Sequence, residues 1–208
     1  MNTFFVTGIS TEVGKTLASC ILVEALQADY WKPVQAGDLD HSDSHKIQNL
    51  VRNPRTVIHP NAYALNTPMS PHAAADIDGI RIDLNQITPP KTQNHLVIEG
   101  AGGLLVPLNE TDTILDLIRP GYKVVVVSRH YLGSINHTLL TLNPLMEKGL
   151  EVYLLFSGDE HPTTEAIICS KTGVPVLGRI PELPRVDQAA VSRCAGELGE
   201  SLRFHNLL

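Results

Sequence analysis

Gly8-Ile9-Ser10-Thr11-Glu12-Val13-Gly14-Lys15-Thr16 decides how this chain folds. The apolar run Phe4-Phe5-Val6 leads into it, and Leu17, Ile21, Leu22, Ala25 and Leu26 follow at helical spacing as far as Gln27. A buried strand therefore enters a loop that opens a helix, which is the setting of a phosphate-binding turn. Gly14 lets the backbone approach phosphate oxygens, and the amides of Val13 to Thr16 add the partial positive charge of a helix N-terminus. Lys15 is placed for β- and γ-phosphates, and the Thr16 hydroxyl for Mg²⁺. The loop departs from the common spacing, with five residues between Gly8 and Gly14 instead of four.

Working outward, Tyr30–Gln35 reads as a second short strand, with Pro33 confining it to an edge or an end. The apolar runs His95–Glu99, Lys123–Ser128, Glu151–Phe156 and Val174–Leu177 read as further strands. Helical segments alternate with them at Ile114–Ile118, Ile135–Lys148, Thr163–Lys171 and Asp187–Leu202. Between Ala36 and Asn94 the pattern weakens into loops, with short helices at Ser44–Val51 and Pro71–Ala75. Continuous apolar strands separated by helices argue for an α/β fold, a mostly parallel sheet with helices on both faces. No repeat or linker interrupts the pattern, so residues 1–208 are expected to form one domain.

In such a sheet, ligands collect beyond the carboxyl ends of the strands. Lys32 ends the second strand there, beside Lys15, and two ammonium groups at one site suit a transferring phosphoryl group. His95-Leu96-Val97-Ile98-Glu99-Gly100-Ala101-Gly102-Gly103 delivers an acid to a strand end, followed by a glycine-rich turn, so Glu99 takes the place of a Walker-B acid near Mg²⁺. His41-Ser42-Asp43-Ser44-His45 admits two readings: a transition-metal pair of histidines, or a solvated loop in which Asp43 is a Mg²⁺ ligand, which is favoured. Ser128–His137 opens another helix, whose amides can hold a second anion or whose Ser134 simply caps it.

With 208 residues, 43% apolar and 18% charged, the chain can bury a sizeable core. Its formal charge of −6 argues against non-specific nucleic-acid binding, so an anionic substrate needs a local positive site. Cys20, Cys169 and Cys194 are too scattered for a disulfide framework or zinc site. No basic leader with an apolar core and no membrane-length run occurs, so a cytoplasmic location is expected.

Taken together, Val6-Thr7-Gly8, Thr11-Glu12-Val13-Gly14-Lys15-Thr16, Lys32-Pro33-Val34, Ser42-Asp43, Ser70-Pro71-His72, Glu99-Gly100-Ala101-Gly102-Gly103 and Leu132-Gly133-Ser134-Ile135-Asn136-His137 resemble the dethiobiotin synthetases, within the P-loop NTPase superfamily. The resemblance spans most of the chain. It implies a homodimeric enzyme that uses ATP, Mg²⁺ and CO₂ (or bicarbonate) to close a cyclic urea on 7,8-diaminononanoate. It implies that Lys15 and Lys32 neutralise the carbamate and the migrating phosphoryl group, and that Thr11 touches the carbamate end. Thr16, Asp43 and Glu99 would hold Mg²⁺. Nucleotide contacts would come from Glu12, Val13, Gly14, Lys15, Thr16, Leu17, Asp43, Glu99, Gly100, Ala101, Gly102, Ser157, Gly158, Pro181, Glu182 and Leu183. Gly133, Ser134 and Asn136, the last two from the partner subunit, would hold the substrate's far carboxylate.

Three departures from that family are visible. Ala36 replaces a hydroxyl residue, Ser157 stands where an asparagine commonly reads adenine, and the link from the first helix to Lys32 is short. The alternative of another class is a nucleotide-switched, partner-binding ATPase of the ParA/MinD kind. Ser10, Thr11 and Glu12 stand where that class carries a lysine and two glycines, which counts against it. Lys15→Ala and Lys32→Ala are each expected to remove most turnover while leaving the fold intact.

Overall fold

The computed structural model describes residues 1–208. The phosphate loop links β1 (Thr3–Gly8) to α1 (Lys15–Leu26), followed by β2 (Asp29–Trp31), β3 (Val34–Ala36) and α2 (Asp43–Leu50). Then come β4 (Ile58–His59), β5 (Tyr63–Leu65), α3 (Pro71–Asp78), β6 (Leu96–Gly103) and β7 (Lys123–Arg129). The chain ends with α4 (Ser134–Glu147), β8 (Glu151–Ser157), α5 (Pro162–Thr172), β9 (Val176–Ile180) and α6 (Gln188–Phe204). Seven strands form one sheet in the order β4-β2-β6-β1-β7-β8-β9. Each pairing in it is parallel.

The reason for parallel pairing is visible in the residues. Phe4, Phe5 and Val6 of β1 and Val124 to Val127 of β7 are buried, as strands covered on both faces must be. α1 packs on α6 and α2, while α4 packs on α5, giving two helical layers. The buried apolar side chains join into one core cluster. No helix is long and apolar enough to cross a membrane.

Several expected boundaries shift for identifiable reasons. The single strand expected at Tyr30–Gln35 is two. β2 belongs to the main sheet, whereas β3 pairs with β5 in a separate two-stranded sheet. The break falls at Lys32-Pro33, where proline has no N–H to give a ladder. β4 and β5 fall in the weakly patterned stretch and are too short to leave a period-2 signal. The segment at Ile114 is one 3₁₀ turn, Ile114–Leu117, capped by Thr113 and Asp116, rather than an α-helix. β9 begins at Val176, after Pro175, whose carbonyl still accepts from the Leu154 amide at 2.9 Å. Gly133, not Ser134, is the N-cap of α4.

Candidate active site

Gly14 adopts φ +98°, a backbone region open to glycine, and a Cβ there would lie 3.0 Å from Ser157 Oγ. Glycine thus lets the loop turn sharply and approach the end of β8. Lys15 folds back so that its ammonium donates to the Ser10 carbonyl at 2.9 Å. Burial pushes its pKa down to about 8; Glu99 and Asp43 oppose that shift and Lys32 adds to it.

Residues from within β6, from the start of α2 and from just after β2 meet beside this loop. Glu99 lies in β6, buried, next to Val6 of β1. Asp43 is the first residue of α2, whose start is fixed by a capping box between Ser42 and His45. Lys32 leaves β2 just before Pro33 and is only 4% exposed. Its Nζ lies 2.9 Å from Asp43 Oδ2 and 3.2 Å from Glu99 Oε1, and it also donates to the Gly100 carbonyl at 3.2 Å. Thr16 Oγ1 is 2.9 Å from Glu99 Oε1 and 3.0 Å from Asp43 Oδ1. Burial alone would lower the Lys32 pKa, but the two carboxylates overcome it and raise it. Burial would raise that of Asp43; Lys32 and Lys46 overcome it and bring it down to about 2. The Lys32–Asp43 ion pair is therefore fully formed at neutral pH.

The cluster opens into a cavity of about 830 Å³, within the range of small-molecule sites. The same cavity runs from Thr11, Lys15 and Lys32 to Ser157, Glu182 and Leu183. A family model described as an AAA domain matches residues 2–190. The ATP-dependent dethiobiotin synthetase BioD of Christiangramia forsetii is 56% identical, over 96% of this chain and 97% of its own. That of Cytophaga hutchinsonii is 48% identical, over 95% and 97%. The chain belongs to the dethiobiotin synthetase family. It is an ATP-dependent ligase that forms a C–N bond. Among solved structures, a ParA family ATPase from Chlorobium tepidum aligns with TM-score 0.58 at 12% identity, covering 99% of this chain and 92% of its own. The MinC:MinD cell division complex of Aquifex aeolicus gives 0.60 at 13%, covering 99% and 96%. At such identities these neighbours establish the P-loop fold alone.

Of the residues expected at this synthetase's site, Thr11, Glu12, Gly14, Lys15, Thr16, Leu17, Lys32, Asp43 and Glu99 line the cavity. So do Ala101, Gly102, Ser157, Gly158, Pro181, Glu182 and Leu183. Val13 is buried behind the loop, and Gly100 meets the site through its carbonyl on Lys32. Gly133, Ser134 and Asn136 do not line the cavity: Ser134 is buried in the first turn of α4, and Gly133 and Asn136 are exposed away from it. His45 is spent on the Ser42 cap, and no group of three or more His, Cys, Asp or Glu is arranged for a metal. Two carboxylates and a hydroxyl are instead the sparse oxygen set that suits Mg²⁺ shared with phosphates.

The sequence reading missed three participants. Lys46 Nζ lies 3.0 Å from Asp43 Oδ1, one helical turn on, a spacing that could have been noticed. Arg129 ends β7 and pairs with Glu182 at 2.9 Å across the far end of the cavity. Tyr30 is fully buried and donates to Glu99 Oε2 at 2.9 Å. Burial and the Glu99 charge hold its phenol pKa well above the ordinary value, so the hydroxyl remains a donor. Nothing in the local pattern signals that contact, because it crosses from one strand to its neighbour.

Proposed function

We propose that this chain makes dethiobiotin from 7,8-diaminononanoate, CO₂ and ATP, through a carbamate and a carbamic–phosphoric anhydride. One amine of the substrate adds to CO₂ and loses a proton, giving a carbamate. A carbamate oxygen attacks the γ-phosphorus, and ADP leaves. The second amine then attacks the carbamoyl carbon, the C–O bond to phosphate breaks, and loss of a proton completes the cyclic urea. The observation that carries this reading is Lys32, held buried between Asp43 and Glu99 at the mouth of the phosphate loop. The carbamate, the transferring phosphoryl group and the mixed anhydride are anionic at the reacting centre, and a fixed ammonium stabilises that charge without reorganising.

Lys15 would meet the β- and γ-phosphates, Thr11 the carbamate end, and Ser157, Gly158 and Glu182 the base. Thr16, Asp43 and Glu99 would hold Mg²⁺. When bound, the metal supplies positive charge to the phosphate oxygens and to the leaving diphosphate. A homodimer is part of the same proposal. Gly133 and Asn136 lie off the cavity of their own chain, next to exposed Tyr131 and Leu132, where a second copy could bring them to a neighbouring site.

The test is direct. The protein is incubated with diaminononanoate, bicarbonate, Mg²⁺ and ATP, and products are read by mass spectrometry. The cyclic urea with stoichiometric phosphate is expected, and neither should form without the diamine. Phosphate release that ignores the diamine, with no urea, would reject the proposed reaction.

A further inference from the structure

We propose that Tyr30 is a positioning residue for this site, holding one oxygen of Glu99 so that the other is presented to Thr16, Lys32 and the metal. The proposal rests on the reading that Glu99 faces Mg²⁺. Its first support is the division of labour between the two carboxylate oxygens. Oε2 accepts from the Tyr30 hydroxyl at 2.9 Å. Oε1 lies 2.9 Å from Thr16 Oγ1 and 3.2 Å from Lys32 Nζ. Glu99 is only 1% exposed, so water cannot replace the phenol.

The second support is strand register. Tyr30 of β2 stands beside Val97 of β6. Val97 and Glu99, two residues apart, point to the same face. A tyrosine is long enough to span that diagonal; a shorter side chain would leave Oε2 unmatched. Lys32 sits two residues after Tyr30, so β2 and the residue that follows it supply Oε2's donor and Oε1's cation. Loss of the hydroxyl would let the carboxylate rotate and take the Lys32 ammonium with both oxygens. The oxygen needed by the metal would then be committed elsewhere.

The experiment is a double-variant cycle on the full chain: wild type, Tyr30→Phe, Glu99→Gln, and both together. ADP binding is measured by calorimetry with Mg²⁺ and with EDTA, alongside thermal melting. In the wild type, Mg²⁺ should tighten ADP binding; absence of that synergy would sink the metal reading itself. Tyr30→Phe should reduce the Mg²⁺-dependent gain by about tenfold, the scale of one hydrogen bond to a charged group, and leave binding in EDTA within about twofold. In the Glu99→Gln background the same change should no longer alter the Mg²⁺-dependent gain and should shift melting by less than in the wild type. A poorly folded Tyr30→Phe whose stability is recovered on adding Glu99→Gln also supports coupling through that carboxylate. The proposal is overturned if wild-type synergy survives Tyr30→Phe. It is likewise overturned if ADP affinity falls equally with and without Mg²⁺, or if the effect is as large without the carboxylate.

Discussion

Lys32→Met keeps the length of the side chain and removes its charge, and it tests the centre of the site. Nζ is 2.9 Å from Asp43 and 3.2 Å from Glu99, with the lysine 4% and the glutamate 1% exposed. At about 3 Å and an effective dielectric of about 20, each contact carries about 5 kcal/mol of gross attraction. Most of that offsets desolvation. Removing one partner of a buried pair nonetheless costs about 3–5 kcal/mol, because the carboxylates stay buried and repel each other. For a chain of this size that lowers the melting temperature by about 6–20 °C. Loss of the Lys32 charge is therefore expected to weaken the unliganded protein as well as the proposed reaction.

The loss has a signature. Mg²⁺ placed between the same carboxylates should restore much of the stability, and Lys32→Met/Asp43→Asn should do so without metal. Turnover should fall about 10²–10³-fold, the usual cost of one preorganised electrostatic donor, and Mg²⁺ should not restore it. Denaturant titrations in EDTA and in millimolar Mg²⁺, with the urea-forming assay, check all three points. A Lys32→Met protein as stable as wild type in EDTA, indifferent to Mg²⁺, would refute the account of the buried triad.

Lys15→Ala should weaken ATP binding and remove most turnover with little loss of stability, since its ammonium bonds only the Ser10 carbonyl; wild-type nucleotide affinity by calorimetry would contradict this. Asp29→Asn should destabilise by about 2–3 kcal/mol, because Asp29 accepts from Val57, Thr92 and Asn94 at the start of β2. For acid, the sign is fixed. Burial works to raise the pKa of Asp29 and Glu165, but hydrogen bonds, including Thr92 on Asp29 and Arg179 on Glu165, hold both below the ordinary values of 3.8 and 4.5. Their stabilisation is present above those values and is lost as pH falls through the folded ones; denaturant midpoints from pH 6 to 3 should decline accordingly. With Ser157 and the Arg129–Glu182 pair at the base end, discrimination of ATP over CTP should be loose, and a rate ratio strongly favouring ATP would argue otherwise.

What was legible in the sequence was what local pattern encodes. The phosphate loop reads from Gly14, Lys15 and Thr16 because a strand stop at Gly8, a positive-φ glycine at Gly14 and a helix start at Lys15 fall within one short loop. Glu99 reads from an acid at the end of an apolar strand. The main-sheet strands read because burial on both faces leaves uninterrupted apolar runs. β4 and β5 did not, being two and three residues long and half-buried. Lys32 was legible as a residue but not in its burial, which depends on the chain breaking at Pro33 and on α2 bringing Asp43 across. Tyr30 and Arg129 were illegible for the same reason: each acts on a carboxylate far away in sequence, Glu99 and Glu182.

The arrangement of charges explains why a chain with a P-loop fold places its second amine just after a strand. Ser10, Thr11 and Glu12 occupy the loop where ParA-type proteins are expected to carry a lysine and glycines, so the loop supplies only Lys15. Lys32 stands just after β2 and is held in the unliganded protein by two carboxylates, Asp43 and Glu99. Counting Lys15, Lys32, Asp43 and Glu99, the buried cluster is close to neutral, inside a chain of net charge −6. Such a site has little to attract a triphosphate by itself. A divalent cation held by Thr16, Asp43 and Glu99, as proposed above, would change that by adding its own charge beside the phosphates. On the proposed reading, metal and nucleotide would strengthen each other's binding by the same factor, and equal ADP affinity with Mg²⁺ and with EDTA would refute it.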